Sequence, residues 1–160
     1  MLVRFTKGSV AAQTDALTCV RPDGSTTTSH MPRQGILPHE AVHFVVESVL
    51  GWRNALFGAL SRGVSLETAT AKLHGRQVEW SKDPQRRQTE ALVECLEAEQ
   101  WGGANDPVTF AEMLVLACRR RGAPTPDVTP EEIDLVRVKL REFGAAWRPL
   151  LPGSWIERTF

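Results

Sequence analysis

Apolar and polar residues alternate at both ends of the chain, and between those ends they recur at helical spacing. Leu2, Arg4 and Thr6 interleave with Val3 and Phe5, the period-two pattern of a strand with one buried face, closed by Lys7-Gly8. Residues 16–21 predict a second strand and residues 25–29 a third, since Thr is β-branched. Between them Pro22-Asp23-Gly24-Ser25 reads as a turn, in which Pro presets the first turning residue and Gly accepts a positive φ. In the tail, Trp155, Glu157 and Thr159 alternate with Ile156, Arg158 and Phe160, which predicts a strand returning to the N-terminal sheet.

Residues 30–37 read as a connector, after which Pro38 opens a helix over 38–50 at a position where its missing N–H costs nothing. Gly51 stops that helix. A short helix over 54–62 is closed by Gly63, and Ser65 caps a weaker segment, LETATAKLH, interrupted by Gly75. Asp83-Pro84, Asp106-Pro107 and Thr129-Pro130 each join a capping side chain to a first-turn proline. The first of the three helices runs to about Gln100 before Gly102-Gly103, and the second ends in Arg119-Arg120-Arg121-Gly122. Glu132 is placed to complete a capping box for the third, whose Ile133, Val136, Leu140 and Phe143 share one face. Strands at the two ends with helices between them predict an α+β fold. It has a small antiparallel sheet from the N-terminal strands and the C-terminal strand, packed with about five helices.

Composition narrows the classes. A chain of 160 residues without a linker, repeat or low-complexity tract reads as a single domain over 1–160, long enough to bury roughly 70% of its unfolded surface. Nineteen basic and nineteen acidic residues cancel, so no global field favours nucleic acid or an anionic membrane. The apolar runs fall short of the roughly 20 residues that cross a bilayer, and the N-terminus does not resemble a signal peptide. Cys19, Cys95 and Cys118 are odd in number and never spaced as C-x-x-C, which suits reduced thiols in a cytoplasmic protein.

The chemistry concentrates in LPHEAVHFVVESVL, residues 37–50. His39-Glu40-Ala41-Val42-His43 is a complete H-E-x-x-H, and Glu47 follows one helical turn later. Two His four residues apart point to one side of a helix, where both imidazoles can grip one metal ion. In zinc metalloproteases that carry this motif the intervening Glu is the general base. The expected site is therefore His39, His43 and Glu47 around zinc, with Glu40 as the base if the centre is hydrolytic. His39 falls in the first helical turn, where the dipole disfavours an imidazolium but leaves a metal-competent imidazole available, whereas motifs of this kind more commonly sit inside a longer helix. His39 and Glu47 stand about 12 Å apart along the axis, so Glu47 serves either as a ligand or as the carboxylate that orients His43. A third ligand then comes from His30, His74, Glu67 or Glu79. At about 100° per residue, Val42, Val45, Val46, Val49 and Leu50 form the apolar face, with the His/Glu stripe at its border.

The pattern Pro38-His39-Glu40-x-x-His43-Phe44-x-Val46-Glu47, followed by Leu50-Gly51, resembles an uncharacterised family of small bacterial proteins with a PH(D/E)xxH(F/Y)xVE helix. That resemblance spans most of the chain and implies a strand, an Asp23-Gly24-Ser25 turn, this helix and a Trp-containing last strand. It carries no established activity, and Asp often stands at the position of Glu40. The resemblance to zinc metalloproteases is limited to the five residues of the motif.

Other features point to structure. Arg119–Arg121 complement a helix dipole, the five Trp read as core and element-end anchors, and Cys19 reads as an inert buried thiol. No phosphate-binding or serine-hydrolase motif is present. Two readings stand: a zinc-binding protein, hydrolytic if Glu40 acts as base, and a non-enzymatic binding or assembly module in which the His/Glu stripe is structural. Substrate, protein partner and homo-oligomeric state are left open.

Overall fold

The computed structural model describes residues 1–33, 36–70, 83–102 and 106–160. Four strands, β1 (Leu2–Thr6), β2 (Thr14–Val20), β3 (Thr26–Pro32) and β4 (Trp155–Thr159), form one antiparallel sheet in the order β3-β2-β1-β4. Six helices accompany it among the described residues: α1 (His39–Val49), α2 (Leu56–Ser61), α3 (Leu66–Thr70), α4 (Pro84–Gln100), α5 (Pro107–Arg120) and α6 (Pro130–Trp147). The fold is α+β, and the C-terminal strand does return, with Phe5 opposite Ile156.

The hairpin turn forms as its residues dictate. Gly24 sits at φ 81°, Ser25 N–H donates to Asp23 Oδ1 at 2.9 Å, and Arg21 N–H donates to the Ser25 carbonyl at 2.9 Å. The third strand runs past Ser29 through residues predicted as a connector, because β2 is seven residues long and offers it a full ladder. Pro32 is tolerated there because β3 is an edge strand, and Met31 buries its side chain on the inner face. Pro38 caps α1 with ψ 135° and stands just before the first turn, so His39 is the first helical residue.

Phe44 of α1 and Phe143 of α6 meet Phe5 edge-on, with ring centroids 5.7 and 5.2 Å apart, and so fasten both helices to the sheet. α4 packs across α1, and α5 packs on α4. This second cover has a consequence for α1. Every residue from Ala41 to Glu47 is buried, so the His/Glu stripe expected at the border of an apolar face lies under α4, open only at His39. Trp147 is buried, but Trp101 and Trp155 are exposed, so two of the expected Trp anchors face solvent. Arg120 and Arg121 both pair with Glu94 of α4, which pins the end of α5. Among the described residues no helix is long and apolar enough to cross a membrane.

Candidate metal centre

α1 and α4 run antiparallel, so the first turns of α1 face the last turns of α4. His39 and His43 are one turn apart on α1, while Glu90 and Glu97 are two turns apart on α4. His39 thereby meets Glu97 and His43 meets Glu90. The two Nε2 atoms point at each other across 3.2 Å, and Glu90 Oε2 lies 3.6 Å from His43 Nε2. One ligand atom from each of His39, His43 and Glu90 falls within 4.8 Å of the other two.

The outer ring nitrogens face carboxylates. His39 Nδ1 donates to Glu97 Oε1 at 2.9 Å, which leaves its Nε2 as a lone pair. His43 Nδ1 faces Glu47 Oε1 at 3.7 Å. His39 is thus aimed inward by the acid behind it, the arrangement that fixes the tautomer and raises the basicity of metal-ligating His, whereas His43 Nδ1 and Glu47 Oε1 face each other without a hydrogen bond.

Glu47 is fully buried for a separate reason. Its Oε2 accepts the backbone N–H of Phe57 at 2.9 Å and of Gly58 at 3.2 Å, at the open N-terminus of α2. Ala55 stands at the cap position of α2 and has no side-chain acceptor, so α1 supplies one from outside the helix. Gly58 allows the close approach: a Cβ there would stand 1.9 Å from the Arg53 carbonyl oxygen.

Electrostatics follow from the geometry. Burial works against a charge on His43, but the carboxylates of Glu47 and Glu90 together outweigh it and push the imidazole up to about 9. Burial likewise opposes ionisation of Glu90, yet His43, Arg86 and His39 hold it at about 2. Arg86 Nη2 stands 3.7 Å from Glu90 Oε1, one turn earlier on α4. Without a metal, the proton on His43 Nε2 faces the His39 lone pair and Glu90 Oε2, the same two atoms that would share a cation with it.

Of the residues singled out in the sequence, the fold brings His39 and His43 together and adds Glu90, which sequence reasoning missed. The signal was a pair of glutamates seven residues apart, Glu90 and Glu97, on one face of a helix whose partner carries two His four apart. Glu47 stands outside the group, behind His43. Glu40 also lies outside it, and its Oε2 is buried with no hydrogen-bond partner among the described residues. His30 is exposed on β3 and Glu67 is exposed on α3, both away from the group. His74, Glu79, Trp80 and Gly75 lie outside the described residues.

Compared with protein-family models, curated proteins and solved structures, the chain matches none of them.

Proposed function

We propose that the chain binds one zinc ion through His39 Nε2, His43 Nε2 and Glu90, in a site of the hydrolytic type. The observation that carries this reading is the 3.2 Å between the two Nε2 atoms. Zinc–nitrogen bonds of about 2.0–2.1 Å at tetrahedral angles set neighbouring ligand atoms about 3.3–3.4 Å apart. The His43–Glu90 separation of 3.6 Å approaches the same edge. Two imidazoles and one carboxylate form the ligand set of catalytic zinc sites, which keep one coordination position open. The side chain of His39 is 51% exposed, so solvent and substrate reach that side of the cluster.

Bound zinc would supply Lewis acidity at the open position. Glu97 holds the His39 imidazole in place, Glu47 places a carboxylate behind His43, and Glu90 would bring the anionic ligand. Glu40, with one carboxylate oxygen buried and without a partner among the described residues, would be the base if the centre is hydrolytic.

One observation favours a second reading, a structural polar cluster in a non-enzymatic module. A charged His43 between Glu47 and Glu90, with His39 tied to Glu97, ties α1 to α4 without any metal. Elemental analysis separates the two. Untagged protein purified without chelator should carry near-stoichiometric zinc, and His39→Ala, His43→Ala and Glu90→Gln should each lose it. A metal-free wild type that zinc does not stabilise would sink the zinc reading and leave the cluster structural.

A further inference from the structure

A cavity of about 290 Å³ lies between the loop before α1, the C-terminal half of α4 and one face of α6. Its floor is apolar, formed by the buried side chains of Leu37, Leu96 and Leu140. Around that floor stand Arg137, Arg141, Arg148, Glu99 and Gln100, which differ in how far each is already used.

Arg137 is spoken for. Its Nε and Nη2 donate to the Glu99 carboxylate at 2.9–3.1 Å, its Nη1 donates to Asp134, and its guanidinium lies over the Phe110 ring at 4.8 Å. Arg137 and Glu99 therefore form a fixed, neutralised wall. Arg141 and Arg148 are different. Arg141 lies on α6 and Arg148 is the residue that caps its C-terminus, both exposed, and both line the cavity. Arg141 makes no hydrogen bond or ion pair among the described residues. Arg148 donates only Nε, to the Gly144 carbonyl of its own helix at 3.2 Å. At the α4 side, Gln100 Nε2 is buried without a partner. Gly144 leaves room between these groups, since a Cβ there would come within 3.2 Å of Arg148 Nη2 and 3.4 Å of Leu37 Cδ2.

We propose that this cavity binds a small amphiphilic monoanion, a carboxylate on a short apolar body. The unused guanidinium N–H groups of Arg141 and Arg148 call for an anionic head, and a carboxylate offers them two oxygens, while the Gln100 amide beside them can donate or accept. The leucine floor takes an apolar tail. The volume is at the small end of ligand sites, about 300–1,000 Å³, which limits that tail to a medium-length chain or one ring.

A second cavity, of about 330 Å³, provides an internal comparison. It is lined by Phe44, Val45 and Phe143, but its mouth carries Lys139 and Glu142 already joined at 2.8 Å. Its lining also holds Arg158, which donates only Nη1, to the Glu157 carbonyl, and Ser48, whose Oγ is buried without a partner among the described residues, so it is the competing site that the probe must tell apart. The proposed site also owes nothing to the metal reading, because none of its residues belongs to the zinc cluster.

Octanoate is the probe, titrated into zinc-free full-length protein by calorimetry and methyl-detected NMR, with octanol as the neutral counterpart. The expected result is saturable octanoate binding with shifts on Leu37, Leu96 and Leu140, and weaker binding of octanol. The double variant Arg141→Gln/Arg148→Gln changes only exposed side chains and should melt as the wild type does, while binding octanoate about tenfold or more weakly. The proposal is overturned by octanol binding as tightly as octanoate, by shifts confined to Phe44 and Val45, or by no saturation at millimolar probe.

Discussion

Glu47 serves two partners with its two carboxylate oxygens: Oε2 caps α2 through Phe57 and Gly58, and Oε1 stands behind His43. Because both amides are buried, removing the acceptor leaves two donors without partners. Glu47→Ala should therefore cost about 2–4 kcal/mol, read as a shift in the urea midpoint. Glu47→Gln, which keeps one oxygen acceptor, should cost clearly less. Equal losses from the two variants would show that Oε2 is not the anchor. A second residue-scale prediction concerns the thiols. Burial pushes Cys19 up to about 12, against the pull of Arg21 and the N-terminal ammonium, and pushes Cys95 up to about 11. Unfolded thiols ionise near pH 8.5 (roughly). Below that pH both states keep the proton, and these groups leave stability unchanged. Above it only the unfolded chain loses the proton, so stability falls as pH rises toward the folded values. Native protein at pH 8 should accordingly label with a thiol reagent far more slowly than protein in guanidinium, and rapid native labelling of Cys19 would contradict its burial.

Among the elements, α2 is the one held least by its own sequence. It has six residues and no side-chain cap, and it depends on Glu47 and on the glycine that lets Arg53 approach. Gly58→Ala places a Cβ against backbone, which cannot yield as a flexible side chain would. The variant should lower the melting temperature by several degrees and weaken zinc retention, since displacing α2 also displaces Glu47. An unchanged melt would show that the Arg53 segment shifts freely. The helix α6 is the opposite case. Thr129 Oγ1 accepts from Glu132 N–H at 3.2 Å and Glu132 Oε2 accepts from Thr129 N–H at 2.8 Å, the reciprocal box expected from four consecutive letters. Thr129→Ala should cost about 1 kcal/mol by chemical denaturation. This contrast explains what could be read in advance. Caps, first-turn prolines and the Gly24 turn act within a few residues, so α4, α5, α6 and the hairpin were legible. The extension of β3 to Pro32 was not, because it depends on the length of β2 and on β3 having only one neighbour. The cap of α2 was not legible either, since its acceptor comes from another helix.

Across the whole molecule, the cluster exists because α4 lies antiparallel on α1 and places residue 90 beside residue 43. Local pattern shows that each helix has a polar strip within a buried face, but not which two strips will meet. His39 and His43 could therefore be named from spacing alone, while Glu90 and Glu97 became visible only once the helices were packed. On the proposed reading that same packing would make zinc a clamp between distant parts of the chain, so occupancy and global stability would be linked. Zinc at about 100 times its dissociation constant should add about 2.7 kcal/mol, raising the melting temperature by about 5–11 °C for a chain of this size. Chelator should reverse the gain. Glu90→Gln and His39→Ala should abolish the zinc-dependent increment while leaving the metal-free melt nearer to its own baseline, because both side chains lie partly open to solvent. His43→Ala should lower the metal-free melt as well, because it opens a cavity beside the buried Glu47 and the half-buried Glu90 and removes the charge that balances them. A zinc increment that survives in Glu90→Gln and His39→Ala would place the metal elsewhere on the chain and leave the α1–α4 contact to hydrogen bonds alone.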